Sequence, residues 1–312
     1  MNIRNLSFPS SPRSPLKRRD SSRISLPNRS RRGLIGGAIA TSLFFMGTFA
    51  ATSQTLSIPG QNRWLEVQQI RGSVTYVAGG QRRSARVGDR LQRPAQGIST
   101  AARSGSTLAL DTDIGVVRVA ENTSLRVREM NTLQNGGRVT LLTVDRGQAR
   151  LQVRRFNNPG SRLEIETPSG VAAVRGTDFG VSVEPTGKTG IATVSGAVEA
   201  SAQGVDVMVN PGFGTSIVPG EPPLPPRPID RALSLDLNRV QRTSNRLLIR
   251  GQVDPLNTVL LNGESLTTNQ DGEFVTRVRV RSNEYAAGRI LTLTVRNPLG
   301  SQRSHIINIP AF

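Results

Sequence analysis

The side chains that most often carry catalysis or bind metals are scarce in this chain. Its 312 residues contain no cysteine and a single histidine, His305. Thiolate metal sites are therefore excluded, and a His-based triad would depend on His305, which alternation with its neighbours places on the outer side of a strand. Glycine-rich phosphate loops and nucleophile elbows are absent from the sequence. We predict that the protein is not an enzyme and holds no metal and no cofactor.

Carboxylates are the second group that could do chemistry. Glu164 and Glu166 alternate with apolar residues, which indicates the solvent-facing side of a strand and not a pair of catalytic acids. Asp111 and Asp113 lie near a turn. Calcium needs about six or more oxygen ligands, and no loop in this sequence repeats such ligands. Neither pair therefore predicts a site.

Arginine is the residue type that does point to binding. The formal net charge is +18, and 40 residues are Lys or Arg, of which two, Lys17 and Lys188, are lysine. Several arginines recur at spacings of two or four, which puts each set on one face of its strand. These candidate contacts are Arg126, Arg128, Arg150, Arg154, Arg277, Arg279 and Arg281. Aligned strands would give a surface suited to carboxylates and phosphates. The alternative is that arginine merely serves as a solvent-facing base.

The spacing of apolar residues predicts an all-β fold. From Leu65 onward, short alternating runs are separated by Gly, Asn, Asp and Pro, and no sustained period of 3.6 residues occurs. Many short strands with frequent turn signals are typical of a β-sandwich, roll or barrel. Asn135-Gly136-Gly137 and Arg146-Gly147 predict reversals between adjacent antiparallel strands.

One segment combines a strand, a glycine turn and a second strand. Its core, which we call the signature turn, consists of Val174, Arg175, Gly176, Thr177, Asp178 and Phe179. Gly176 permits backbone angles that a β-carbon forbids, and Arg175 and Asp178 are placed to pair across the turn. We interpret the signature as structural, with a ligand contact of Arg175 as the alternative. The segment resembles the signature of the FecR domain, an extracytoplasmic module, and the resemblance covers about residues 65–218.

The chain after this region has two further parts. Residues 219–230 are rich in proline, which predicts a semi-rigid linker. Residues 231–312 return to strands, with hairpin signals at Asn262-Gly263 and Asp271-Gly272. This part resembles the small immunoglobulin-like modules of bacterial surface proteins, which implies a second, smaller β-sandwich.

The N-terminal residues predict export. Residues 1–32 carry nine basic side chains and one acid, and their low apolar content predicts disorder. Residues 33–51 are uncharged and largely apolar and end in small residues, which is typical of a secretory signal peptide; an uncleaved membrane anchor is the alternative. Arg31 and Arg32 leave both the twin-arginine and the general route open. We therefore predict a periplasmic or cell-surface protein that touches the membrane only through this segment.

Two functions remain at this point. We favour an exported cell-envelope binding or structural protein whose partner is an anionic envelope polymer or an envelope protein. Nucleic acid is not expected as a partner, because export separates the two and aromatic residues make up 4% of the chain. The alternative is a FecR-type transmembrane signal transducer that regulates a sigma factor. We disfavour it because 32 residues are too few for a folded sigma-factor-binding domain, and because the immunoglobulin-like part replaces the C-terminal portion such regulators carry.

Overall fold

The computed structural model describes residues 57–59, 63–243, 246–279 and 290–308. The predicted leader (1–32), the predicted signal or anchor (33–51) and Arg281 lie outside these ranges. Within them, no helix has the length and apolar character that crossing a bilayer requires.

The prediction of an all-β fold is confirmed. The described residues form 25 strands and no helix. In chain order these are β1 (Ser57–Pro59), β2 (Leu65–Arg71), β3 (Val74–Ala78), β4 (Gln81–Ser84), β5 (Arg90–Leu91), β6 (Gly97–Thr100), β7 (Gly105–Leu110), β8 (Gly115–Val119), β9 (Ser124–Leu133), β10 (Arg138–Val153), β11 (Arg162–Glu166), β12 (Val171–Val174), β13 (Asp178–Val183), β14 (Thr189–Ser195), β15 (Val198–Ala202), β16 (Val205–Val209), β17 (Phe213–Ile217), β18 (Arg227–Pro228), β19 (Asp236–Thr243), β20 (Arg246–Gln252), β21 (Thr258–Leu261), β22 (Glu264–Ser265), β23 (Glu273–Arg279), β24 (Ile290–Arg296) and β25 (Gln302–Asn308).

Strands β1 to β18 form two sheets that share one strand. The first sheet has the order β4-β3-β6-β9-β10-β11-β12-β15-β16, with β1 beside the far end of β9. The second has the order β5-β2-β7-β8-β10-β13-β14-β17-β18. The first half of β10 therefore belongs to the first sheet, and its second half belongs to the second.

Gly147 lies where β10 passes from one sheet to the other. The sequence predicted a reversal at Arg146-Gly147, and this prediction is wrong, because the strand continues through both residues. Gly147 has a φ of 86°, and a side chain there would stand within 3.0 Å of backbone atoms of Asn122 and Thr123. Glycine is needed at this bend because it tolerates both the left-handed backbone and the close approach.

The core of this region lies between its two sheets. Apolar residues alternate along strands such as β7 and β11, so one side of each of these strands faces the interior. Leu142 and Leu151 of β10, Leu163 of β11 and Phe179 of β13 are fully buried there. Since β10 contributes to both sheets, it fixes their relative position as well as part of the core between them.

Residues 233–307 surround a second core. One sheet has the order β19-β20-β23 and the other β22-β21-β24-β25, and Leu247, Ile249, Val259 and Leu293 are buried between them. The hairpin predicted at Asn262-Gly263 is present and joins β21 to β22. The immunoglobulin-like character of this part stays a prediction.

The proline-rich segment is attached to the second sheet. The backbone amides of Leu224 and Ile229 donate hydrogen bonds to the carbonyl oxygens of Ser216 and Gly212, at 3.0 Å each. Arg227 and Pro228 also pair with β17 as strand β18. This segment joins the first β-region (β1 to β17) to the C-terminal β-region (β19 to β25). It lies along a sheet edge, where the backbone N–H that proline lacks is not needed for pairing with a further strand.

Candidate functional site

The signature turn connects β12 of the first sheet to β13 of the second. Val174 and Phe179 are buried, while Arg175 is exposed. A side chain on Gly176 would collide with the backbone of Arg155, and the Thr177 hydroxyl donates to the carbonyl oxygen of Ala197 at 3.1 Å. These contacts pack the turn against the end of β10, which supports the structural interpretation of the signature.

Asp178 pairs with Arg150 and not with Arg175. Nε and Nη2 of Arg150 each donate to the Asp178 carboxylate at 2.9 Å, and Nε2 of Gln152 adds a third bond at 3.0 Å. The pairing with Arg175 that the sequence suggested is wrong, because the register of β10 against β13 brings Arg150 to the carboxylate. Burial alone would raise the pKa of Asp178, but the bonds from Arg150 and Gln152 outweigh it and lower the pKa.

The arginines predicted as polyanion contacts are distributed over three sheets. Arg126 and Arg128 lie on β9 in the first sheet, Arg150 lies on β10 in the second with Arg154 directly after that strand, and Arg277 and Arg279 lie on β23. Several have carboxylate partners: Arg126 with Asp145, Arg128 with Glu166, and Arg150 with Asp178. The described members of the three sets thus lie on strands of three different sheets.

The other predicted chemical groups have structural partners. Nε of Arg63 donates to the buried Asp111 at 3.0 Å, and the Trp64 amide donates to the same carboxylate. His305 Nε2 lies 2.8 Å from the carbonyl oxygen of Leu233. Among the described residues, no group of three or more His, Asp or Glu side chains is arranged to hold a metal ion.

The outer face of the second sheet is covered in part by the C-terminal β-region. Gly180 of β13 meets the backbone of Pro298, and Gly214 of β17 meets the side chain of Leu256. Glycines on this face let loops of the second region approach the backbone closely. The two β-regions therefore share a tight junction.

A buried polar group fastens one edge of this junction. Nζ of Lys188 donates to the Thr268 hydroxyl at 2.7 Å and to the Asn269 carbonyl oxygen at 2.8 Å. The Glu184 carboxylate accepts bonds from the amide and the hydroxyl of Thr268, both at 2.9 Å. Burial raises the pKa of Glu184 and lowers that of Lys188, each against the charge of the other.

At another edge, Glu121 connects the two regions through a less buried ion pair. Its Oε1 accepts a hydrogen bond from Nη2 of Arg296 at 2.8 Å, and its Oε2 accepts one from the amide of Arg103 at 2.7 Å. Burial opposes ionisation, but the bonds from Arg296 and Arg103 prevail and lower the pKa of Glu121. This carboxylate is therefore ionised at neutral pH.

Beside Glu121 lies a cleft with many positive charges, which we call the junction cleft. Its volume is about 690 Å³. Five arginines, one glutamate and a few neutral residues line it, the charged ones being Arg71, Arg103, Arg118, Glu121, Arg150 and Arg296. Planar guanidinium groups converging on an open space of this size can bind carboxylate or phosphate groups.

Sequence reasoning found one of these arginines, Arg150, and missed the others. Arg118 alternates with the buried Val117 and Val119, so its outward direction was readable from the sequence. Its neighbours were not, because Arg71, Arg103 and Arg296 come from distant segments. Strand pairing and the junction bring them together.

Comparison with known proteins supports part of this picture. Residues 96–199 match the family model described as FecR protein. The matched segment contains β6 to β14 and the signature turn, and it confirms the FecR resemblance over this part of the predicted 65–218. No curated protein matches the chain.

Two solved structures from Parabacteroides distasonis ATCC 8503, each provisionally named an anti-sigma factor, also match. A crystal structure at 2.50 Å resolution matches with a TM-score of 0.36 and 18% identity, covering 43% of this chain and 60% of that one. Another at 1.65 Å matches with a TM-score of 0.39 and 15% identity, covering 69% of this chain and 99% of that one. The chain thus spans less than two thirds of the first of these relatives.

Proposed function

We propose that this chain is an envelope-associated regulator of a sigma factor, with an exported β-region and a cytoplasmic N-terminal segment. The observation that carries the proposal is the FecR match over residues 96–199, which includes the signature turn and its partner strands. FecR proteins, which this chain resembles, place this domain outside the membrane and an anti-sigma region inside.

The sequence-based preference for a binding or structural protein of the envelope is wrong. The FecR match overturns it and favours the regulator that was the alternative. The argument against the regulator was that residues 1–32 are too few for a folded domain. A short segment can instead bind its partner by folding on it, so length alone does not exclude regulation.

The proposed role favours one of the two alternatives for residues 33–51, a cleaved signal peptide or an uncleaved membrane anchor. A regulator must keep its outer and inner parts in one chain, so we propose that this segment is retained as a membrane anchor. Its positively charged flank at Arg29, Arg31 and Arg32 favours a cytoplasmic N-terminus. The β-region then lies on the outer side of the membrane and acts by binding, without catalysis.

The junction supports this role because a sensor must convert contact with a ligand into a change that the rest of the chain experiences. Arg296 of the C-terminal region lines the same cleft as Arg118 and Arg150 of the second sheet. A ligand that contacts both regions changes the free energy of their association. Such a differential interaction is what a conformational signal requires.

Transcription in cells tests the proposal. The gene is deleted, and the strain is complemented with the full chain or with a chain that lacks residues 2–28 but keeps the basic flank. We expect deletion to change transcription of a sigma-dependent set of genes, and the full chain, but not the shortened one, to restore it. Immunoblots of membrane fractions control for equal amounts of both chains.

Two results would overturn the proposal. One is a deletion strain in which no sigma-dependent gene changes. The other is full restoration by the shortened chain at matched abundance, because the regulator must act through its cytoplasmic segment.

A further inference from the structure

The junction cleft contains a like-charge contact that the fold itself does not need. Arg118 of β8 and Arg150 of β10 are directly opposite each other in the antiparallel ladder. Like charges in this position destabilise a sheet. Asp178 compensates the charge of Arg150, whereas Nη1 of Arg118 donates to the neutral Oε1 of Gln152, at 2.6 Å. Asp178 thus bonds directly to Arg150 and acts on Arg118 only electrostatically, so Arg118 has no hydrogen-bonded carboxylate among the described residues.

Two further arginines add charge to the same space. The side chains of Arg71 and Arg103 form no hydrogen bond or ion pair with any residue that the structure describes, and both are exposed. Arg103 also has a φ of 56°, in the left-handed region, and Glu121 stabilises this conformation by accepting a hydrogen bond from the Arg103 backbone amide. The backbone thus keeps Arg103 at the rim of the cleft at some conformational cost.

Arg150 and Arg296, which are paired with carboxylates, each still have an unused hydrogen-bond donor. Arg150 uses Nε and Nη2 for Asp178, which leaves Nη1. Arg296 uses Nη2 for Glu121 and Nε for Gln302, which also leaves Nη1. Glu121 and Asp178 therefore orient these two guanidinium groups while each keeps a donor for another partner.

From this geometry we infer that the junction cleft binds a small anion with two or more carboxylate or phosphate groups. The inference rests on the proposed function in one respect: the anion would be the signal that the exported region receives. A volume of about 690 Å³ is that of a small-molecule site. Binding by Arg71 and Arg118 together with Arg296 joins the two β-regions through the ligand.

Thermal unfolding of the purified full chain tests the inference. The probes are inorganic pyrophosphate and tricarballylate, which separate a phosphate from a carboxylate ligand, with acetate as the singly charged comparison. Ionic strength is held constant with sodium chloride, since screening would otherwise change with each addition. We expect a saturable rise in Tm with at least one multivalent probe and a much smaller rise with acetate, because a ligand that binds the folded state stabilises it by mass action.

A variant with Arg71→Gln and Arg118→Gln separates a binding role of these arginines from a role in folding, because the two roles predict opposite changes in stability without a probe. Without a probe, it should be as stable as the parent or more stable, because repulsion with Arg150 is relieved. With the probe, its Kd should rise roughly tenfold or more, since charge-assisted bonds are lost. Arg93→Gln, which removes one exposed charge outside the cleft, should change neither result.

Three results would overturn the inference: no saturable stabilisation by either probe, equal stabilisation of the double variant, or equal weakening by Arg93→Gln. Saturable binding of long polyanions that survives the double substitution would likewise place binding elsewhere. Failure of the ligand and failure of the regulator are distinguishable. Pyrophosphate binding with unchanged transcription removes the proposed function, whereas changed transcription without binding removes the ligand.

Discussion

Gly180 and Pro298 meet backbone to backbone at the junction of the two β-regions. A Cβ atom built on Gly180 would stand well within 3.0 Å of the Pro298 carbonyl oxygen, a separation that real Cβ atoms do not show. Because the obstacle is backbone, it cannot be relieved by rotating a side chain. The absence of a side chain at Gly180 is therefore a condition for docking of the C-terminal region.

Substitution Gly180→Ala should loosen this junction. We expect a loss of about 1–3 kcal/mol in the free energy of unfolding, which is typical of overpacking, and earlier cleavage near Pro298 in limited proteolysis. Urea unfolding provides the free energy. Gly204→Ala is the comparison, because nothing lies within 4 Å of a Cβ there and its φ of 73° alone costs about 1 kcal/mol. Equal proteolysis of both variants would contradict a tight junction.

The buried Glu184 should make stability depend on pH. Burial raises the pKa of Glu184 in the folded state above its ordinary value of 4.5. Its contribution is therefore fully present below pH 4.5 and is lost as the pH rises through the folded pKa. Relative to Glu184→Gln, the parent chain should gain stability as the pH falls from 7 to 4.5, measured as the difference in unfolding free energy. A difference that does not vary with pH would show that Glu184 is not perturbed.

The Arg150–Asp178 pair should show measurable coupling. In Asp178→Asn, Arg150 faces Arg118 without a compensating carboxylate. We therefore expect the free energy of unfolding to fall by about 1–2 kcal/mol at pH 7. This loss is smaller than for a buried ion pair because the Arg150 side chain is a third exposed. The lowered pKa of Asp178 means that the parent loses this contribution as the pH falls below 3.8.

A double-mutant cycle with Arg150→Gln isolates the pair from other effects. The coupling energy should be favourable at pH 7 and shrink as the pH falls below 3.8, because the Asp178 carboxylate is then progressively protonated. Additive effects of the two substitutions at pH 7 would mean that the ion pair contributes nothing to folding.

Gly147 should be among the least replaceable residues of the first β-region. In Gly147→Ala, the left-handed backbone and the clash with Asn122 and Thr123 act together, and we expect a loss of at least about 3 kcal/mol in urea unfolding. Gly212→Ala is a matched control, because its φ of 83° is similar and nothing lies within 4 Å of its Cβ. It should lose only about 1 kcal/mol. Equal losses would attribute the effect to backbone conformation alone.

Much of the local structure was readable from the sequence. Leu163 and Ile165 are fully buried and alternate with the outward Glu164 and Glu166, as period two requires. The Asn262-Gly263 turn closes the hairpin that its composition predicts, because both residues have positive φ. These features depend on a residue and its near neighbours, which the sequence shows directly.

The candidate site was beyond sequence reasoning for a physical reason. Period two shows that Arg118 and Arg150 each point outward, but it does not show that their strands are adjacent. That depends on the order of strands in the sheet, which long-range packing decides. The same limit explains why Asp178 was assigned to Arg175, a near neighbour in sequence, when its partner is Arg150 on another strand.

Gly147 shows the difference between what the sequence predicts locally and what the tertiary structure decides. Alternating residues and a glycine by themselves determined that strands lie on both sides of this position. Only the tertiary structure decided that the glycine bends one strand between two sheets and does not reverse it. Both outcomes use the same positive φ, and contact with Asn122 and Thr123 across the fold selects between them.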